Sequence, residues 1–179
     1  MSKTVVLALF VCALALPSAA VGATAVVKGT GTLEPGCPVD PVAADVFCPT
    51  NPIWFSLQAK SSQKTSGTVR MRWLVEGKAR SLFGGRVTCM NTVGNAVVLG
   101  GVLSNPRALR GIPFVEFAID NGATGDLLSD LGLFPDGDLD QVLLPVGFPT
   151  ICPAPGLAAS IYGYLPTLSG GVLVRPPTP

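Results

Sequence analysis

The chain has 179 residues and a formal net charge of +1, which argues against a nucleic-acid or anionic-membrane partner, because both reward clustered lysine and arginine. An apolar fraction of 48% excludes disorder, while 21 glycines, 17 prolines and only 13% charged residues are typical of short strands joined by tight turns. The chain contains no histidine, which excludes Ser-His-Asp and Cys-His catalytic sites and the usual histidine-bearing zinc sites.

The chain begins with the features of an export signal that is cleaved. Lys3 supplies a positive charge, residues 5–16 form an apolar run of 12, and Pro17 ends that run. The small residues at 18–20 form a cleavage site of the A-x-A type, so residues 1–20 are expected to be a signal peptide. Twelve residues are too few to cross a hydrocarbon core, which takes about 20. We therefore expect a secreted protein without a membrane anchor.

Alternation of apolar and polar residues predicts strands along most of the remaining chain. It is strictest at 53–59 and 68–75, which together form the most secure hairpin. Gly94-Asn95 and Asp120-Asn121-Gly122 are predicted turns, because these residue types tolerate positive φ. Residues 127–133 are the one place where a short helical turn is expected. Further strands are predicted at 25–33, 85–92, 96–103, 114–120, 141–144, 161–165 and 171–175.

About eight short strands, mostly joined as neighbours, predict an all-β fold, either an antiparallel β-barrel or a sandwich. A barrel is favoured because it removes exposed sheet edges. One domain over residues 24–175 is expected, followed by a flexible tail at 176–179.

Four cysteines lie beyond the leader, at Cys37, Cys48, Cys89 and Cys152. An even number in an exported protein predicts two disulfides with three possible connectivities. Cys37–Cys48 is favoured because that bridge would staple a proline-rich loop, and Cys89–Cys152 then follows by elimination. A four-thiolate metal site is disfavoured, since the spacing lacks C-x₂-C pairs.

Several strand and turn motifs support a family resemblance. The segments GRVTCM at 85–90, VGNAVVLGG at 93–101, FAIDNG at 117–122 and GGVLV at 170–174 resemble a group of exported bacterial β domains, similar to the post-COAP-1 type. The resemblance covers about residues 25–175, and the Cys37–Cys48 loop departs from it. It implies a fold and an exported location, and it implies no activity.

An acidic stretch is the first candidate for chemistry, since six of the 11 acidic residues lie between positions 120 and 140. Asp136, Asp138 and Asp140 have the D-x-D-x-D spacing by which loop carboxylates bind calcium. The plainer interpretation is that these residues cap turns and keep the protein soluble. No other cofactor is expected.

Paired carboxylates of a glycoside hydrolase would be Asp120 with Glu116 or Asp126. Glu116 and Asp120 lie on one strand face about 13 Å apart, at ~3.3 Å per residue. Such enzymes hold their carboxyls ~5–9.5 Å apart, so this pair is a poor one.

Trp54 and Trp73, with Arg70 and Arg72 nearby, could form a ligand platform through stacking and cation–π contact. Tryptophans on neighbouring strands more often fill a core. We expect a secreted, disulfide-stabilised, non-enzymatic domain that acts in binding or at a surface. Its partner would be a protein, glycan or small ligand. The alternatives are a barrel that binds a small ligand or calcium and, less favoured, a carboxylate hydrolase.

Overall fold

The computed structural model describes residues 24–36, 50–129, 132–133, 148–155 and 165–178. Nine strands account for most of these residues, and two short 3-10 turns, Arg107–Leu109 and Gly122–Thr124, lie between them. The strands are β1 Ala25–Leu33, β2 Ile53–Ser61, β3 Thr65–Val75, β4 Lys78–Val93, β5 Ala96–Asn105, β6 Pro113–Ile119, β7 Leu127–Leu128, β8 Gly132–Leu133 and β9 Leu165–Arg175.

The strands form one antiparallel sheet that closes into a barrel. The order is β5-β4-β3-β2-β1-β9-β7-β6, and β6 pairs back with β5, so eight strands make a ring. The two-residue strands β7 and β8 follow one another along the edge of β6 that β5 leaves open. The all-β prediction is confirmed, and of the two predicted architectures the chain adopts the barrel.

Strict alternation places one apolar row of each strand inside the barrel. In β2, Ile53, Phe55, Leu57 and Ala59 are all buried, while the residues between them face outward. In β3, Val69 and Met71 are buried in the same cluster, and Trp73 packs against it. The inward side chains of most strands join one buried cluster, so the barrel is filled by its own side chains.

The connections include both predicted turns, the second with Gly122 at φ 58° after β6, and one turn that the sequence pattern does not predict. Gly94 has φ 59° in the two-residue turn between β4 and β5, as predicted. The turn between β3 and β4 is Glu76-Gly77, with φ of 51° and 73°. Positive φ at a glutamate is uncommon, because its Cβ crowds the backbone. This turn starts β4 at Lys78, seven residues before the predicted position.

Three predicted elements need correction or lie outside the described residues. The helical turn expected at 127–133 is wrong, because its ends pair with β6 as β7 and β8. The last strand starts at Leu165 rather than 171. The predicted strand at 141–144 and residues 161–164 fall outside the described ranges.

Candidate functional site

Two of the three carboxylates considered for hydrolysis, those of Asp120 and Asp126, bind the backbone of the barrel. Asp126 is 6% exposed; its Oδ1 accepts the Asn121 N–H at 2.8 Å, and its Oδ2 accepts the Val172 N–H. Asp120 Oδ2 accepts the Val174 N–H at 3.0 Å, while its Oδ1 accepts the Gly122 N–H at 3.1 Å. All four carboxylate oxygens therefore accept hydrogen bonds from backbone N–H groups.

These contacts help to close the barrel between β6 and β9. We name this junction, which contains the short strand β7, the seam. The intervening β7 is only two residues long, and it pairs with β9 at Leu165 and Pro166 alone. Farther along β9, the Asp120 and Asp126 carboxylates accept N–H groups that a longer β7 would otherwise pair. Glu116 lies on the inward row of β6 and is 1% exposed. This geometry favours structural roles over catalytic ones for the two aspartates.

The structure describes only some of the predicted disulfide and metal-binding residues. Cys89 and Cys152 form the predicted disulfide, with Cα atoms 5.4 Å apart. Cys37 and Cys48 lie outside the described residues, as do Asp136, Asp138 and Asp140. Among the residues that are described, no group of three or more metal-ligating side chains occurs.

The Cys89–Cys152 bridge holds a segment, residues 148–155, against the outside of the barrel; we name it the strap. Its Phe148 packs on an apolar cluster formed by Val98, Val115 and Phe117 on the outer surface of β5 and β6. Two side chains of β4 fasten its backbone: Thr88 Oγ1 donates to the Pro149 carbonyl at 2.6 Å, and Asn91 Nδ2 donates to that of Pro153 at 3.2 Å. The strap thus covers the apolar outer surface on this side.

Gly100 lets the strap approach β5, and its replacement tests that contact. A Cβ at Gly100 would lie 2.6 Å from the Cys89 sulfur and 2.7 Å from the Phe148 ring. We expect Gly100→Ala to lower the free energy of unfolding by about 1–3 kcal/mol, since the strap must shift. Urea denaturation of the variant measures this.

Gly84→Ala is the matched control, because the nearest atom to its added Cβ is 3.7 Å away. We expect its stability to change by less than about 0.5–1 kcal/mol. Equal losses in the two variants would show that the strap does not press on Gly100.

The opposite side of the barrel is polar and positively charged. Strands β1, β2, β3, β4 and β9 contain no acidic residue. We name the outer surface of β1, β2, β3 and β9, together with that of β4 as far as Arg86, the basic face; farther along β4, Cys89 and Asn91 contact the strap. Six of its outward side chains are basic and exposed: Lys28, Lys60, Arg70, Arg72, Arg86 and Arg175.

Strand register places these charges in rows with neutral polar side chains. Lys28 pairs with Gln58, which pairs with Thr68 and, through it, with Arg86. Two depressions share Lys28 and Gln58, with volumes of about 510 Å³ and 590 Å³. The first is lined mainly by Val26, Lys28, Gln58, Lys60, Ser66 and Thr68, and the second mainly by Lys28, Thr30, Ser56, Gln58, Gly171 and Leu173.

The predicted ligand platform is only partly assembled. Trp54 pairs with Arg72 across β2 and β3, and the Arg72 guanidinium carbon lies 5.1 Å from the Trp54 ring centre. Arg70 is exposed on the same face, opposite Ser56. Trp73 belongs to the inward row and packs against the core. The structure therefore groups Trp54, Arg70 and Arg72 and separates Trp73 from them.

Lys28, Lys60, Arg86 and Arg175 are basic-face residues that the sequence-based prediction missed. The net charge of +1 conceals them, because acidic residues between 120 and 140 offset the basic ones elsewhere. The strand sequences themselves show this charge, because six of their eight basic residues stand at outward positions and they contain no acidic residue.

Comparisons with known proteins identify no family for this chain. No family model matches the chain, and no curated protein or solved structure matches it. Within the described ranges, no helix is long and apolar enough to cross a membrane.

Proposed function

We propose that this protein is an exported, non-enzymatic binding domain whose basic face receives an anionic partner. One observation carries the proposal: six exposed basic side chains project from strands that contain no acidic residue. Like charges on one surface repel one another and favour a partner of opposite charge. The other side of the barrel is covered by the strap, so the basic face is the better candidate for contact with a partner.

Export is supported by the leader-like residues 1–20 and by the disulfide. Bridges such as Cys89–Cys152 form and persist in oxidising compartments, including the cell exterior and the bacterial periplasm. The predicted resemblance to exported bacterial β domains agrees with this location. Membership of that group stays a prediction.

The alternative functions have less support from the described residues. A small apolar ligand would need space inside the barrel, where one buried cluster of side chains extends across most strands. A hydrolase would need free carboxyls, and those of Asp120 and Asp126 accept backbone N–H groups. Calcium binding by Asp136, Asp138 and Asp140 stays a prediction.

The proposal is tested by binding to immobilised polyanions, with polygalacturonate and poly-glutamate as probes. We expect salt-sensitive binding by the wild-type protein, since screening weakens exposed charge pairs. The double variant Lys28→Thr/Arg70→Thr should bind about 3- to 30-fold more weakly, from roughly 0.3–1 kcal/mol per exposed pair. Threonine is chosen because it suits a strand.

The matched control is Lys78→Thr/Arg107→Thr, which removes the same two residue types from exposed positions off the basic face. Lys78 pairs with Val75, at the end of the inward row of β3, and Arg107 lies in a 3-10 turn. We expect its affinity to stay within about two-fold of wild type, because only the net charge changes. Equal losses in both double variants would contradict the proposal, as would failure to bind either polyanion. Binding that appears only after Asp136, Asp138 and Asp140 are neutralised would indicate that the basic face pairs with acidic residues of its own chain. That result would also contradict the proposal of a separate anionic partner.

A further inference from the structure

We infer that the partner of the basic face is a polysaccharide that carries carboxylate groups, anchored by Arg72 and Trp54. This inference rests on the proposed function and names its ligand class. It is carried by the stacked Arg72–Trp54 pair, by the neutral polar side chains around it, and by the spread of charge across neighbouring strands.

Arg72 is held in place for an acidic group. Its guanidinium lies over the half-buried Trp54 ring, 5.1 Å from the ring centre, which is within the range of cation–π attraction. A guanidinium stacked on one face keeps its N–H donors in the plane of the group. That plane matches the two oxygens of a carboxylate, so a bidentate contact needs little further ordering.

The polar neighbours of this pair suit sugar hydroxyls. On the same row, Thr32 lies on one side of Trp54 and Ser81 lies beyond Arg72, and Thr32 shares a 2.8 Å hydrogen bond with Ser169. The adjoining rows add Ser56, Gln58 and Thr68. Hydroxyl and amide groups both donate and accept hydrogen bonds, as sugar hydroxyls do. A partner made only of carboxylates would need donors alone.

The charges are spaced for an extended ligand. Lys28, Arg70 and Arg86 lie on β1, β3 and β4, and strands ~4.8 Å apart spread them over roughly 14 Å across the sheet. The two depressions lie beside these basic side chains and together extend over the outer surface from β3 to β9. A chain of several sugar units could therefore contact more than one basic side chain at once.

The experiment compares a galacturonate oligosaccharide with a glutamate oligomer of equal charge, by calorimetry at one fixed salt concentration. We expect the wild-type protein to bind the oligosaccharide about ten-fold more tightly. Trp54→Val and Arg72→Lys should each weaken that binding about five- to ten-fold, because Val cannot stack and Lys cannot form the planar fork. Glutamate binding should fall in both variants as well, because the Arg72 fork receives any carboxylate. The preference for the oligosaccharide should instead be lost in Gln58→Val/Thr68→Val, which keeps every charge and removes groups that bond sugar hydroxyls.

Trp54→Phe is the matched control, since it keeps an aromatic face for Arg72, and thermal unfolding verifies that each variant is folded. Equal wild-type affinity for both oligomers would overturn this inference and leave the proposed function standing. Tighter binding of the glutamate oligomer, of a sulfated dextran or of an oligonucleotide would likewise overturn it. If neither oligomer binds, both the inference and the proposed function fail.

Discussion

Replacing Asp126 with Ala is expected to lower the free energy of unfolding by about 3–5 kcal/mol. The carboxylate accepts the N–H groups of Asn121 and Val172 from a side chain that is 6% exposed. Hydrogen bonds to charged groups contribute about 1.5–3 kcal/mol each, and a buried donor left without a partner costs about as much. Urea denaturation of the variant and the wild-type protein measures the loss.

Asp120→Ala is the comparison for this prediction, because Asp120 also accepts two backbone N–H groups but is only half-buried. In Asp120→Ala, water can accept some of the hydrogen bonds that the carboxylate accepts in the wild-type protein. The expected loss in free energy of unfolding is therefore about half that of Asp126→Ala. Amide exchange gives a local check, since Val172 should lose protection in Asp126→Ala. A loss below about 1 kcal/mol in Asp126→Ala would show that the carboxylate does not close the seam.

Removing the bridge with Cys89→Ala/Cys152→Ala is expected to lower the free energy of unfolding by about 4 kcal/mol. The bridge spans 63 residues, and the chain-entropy relation gives roughly that value for a loop of this length. The strap should also separate from Val98, Val115 and Phe117 and so expose their apolar surface. Chemical denaturation measures the first effect, and binding of a hydrophobic dye measures the second.

Ile151→Ser is the control for the strap, because Ile151 is 54% exposed. Its stability should stay within about 0.5 kcal/mol of wild type. If the double cysteine variant loses less than about 1 kcal/mol and binds no additional dye, the bridge does not hold the strap on the barrel.

The strands and one disulfide were predictable because their signals are local or countable. In β2, alternation from Ile53 to Ala59 identifies the inward row without any knowledge of its partners. Gly94-Asn95 identifies a hairpin turn by residue type. Cys89–Cys152 follows by elimination when Cys37 and Cys48 are assigned to a local loop.

The seam of the barrel was not predictable, because its bonds join distant residues without a periodic pattern. Asp126 and Val172 are 46 residues apart, and Asp120 and Val174 are 54 apart. A two-residue strand such as β7 is too short for alternation to appear. The Asp120 and Asp126 side chains therefore suggested chemistry in the sequence, although the fold uses them to bind backbone.

The basic face was only half predictable. Spacing groups Arg70, Arg72 and Trp54 correctly, but the predicted platform also includes Trp73, which strict alternation along β3 puts on the side opposite Arg70 and Arg72. Trp54 and Trp73 stand on different strands, and the register that pairs Trp54 with Arg72 and Ile53 with Trp73 confirms that they lie on opposite sides of the sheet. Lys28 and Arg86 join the group through the same register, across four strands.

The most direct test of the basic face as the binding surface is a titration of the ¹⁵N-labelled protein with galacturonate oligosaccharide, followed by amide chemical shifts. We predict concentration-dependent shifts at Lys28, Gln58, Arg70 and Arg72, with the amides of Val98 and Val115 beneath the strap unchanged. Shifts confined to the strap, or to the turn after Asp120, would contradict this prediction, as would a spectrum that does not change at all.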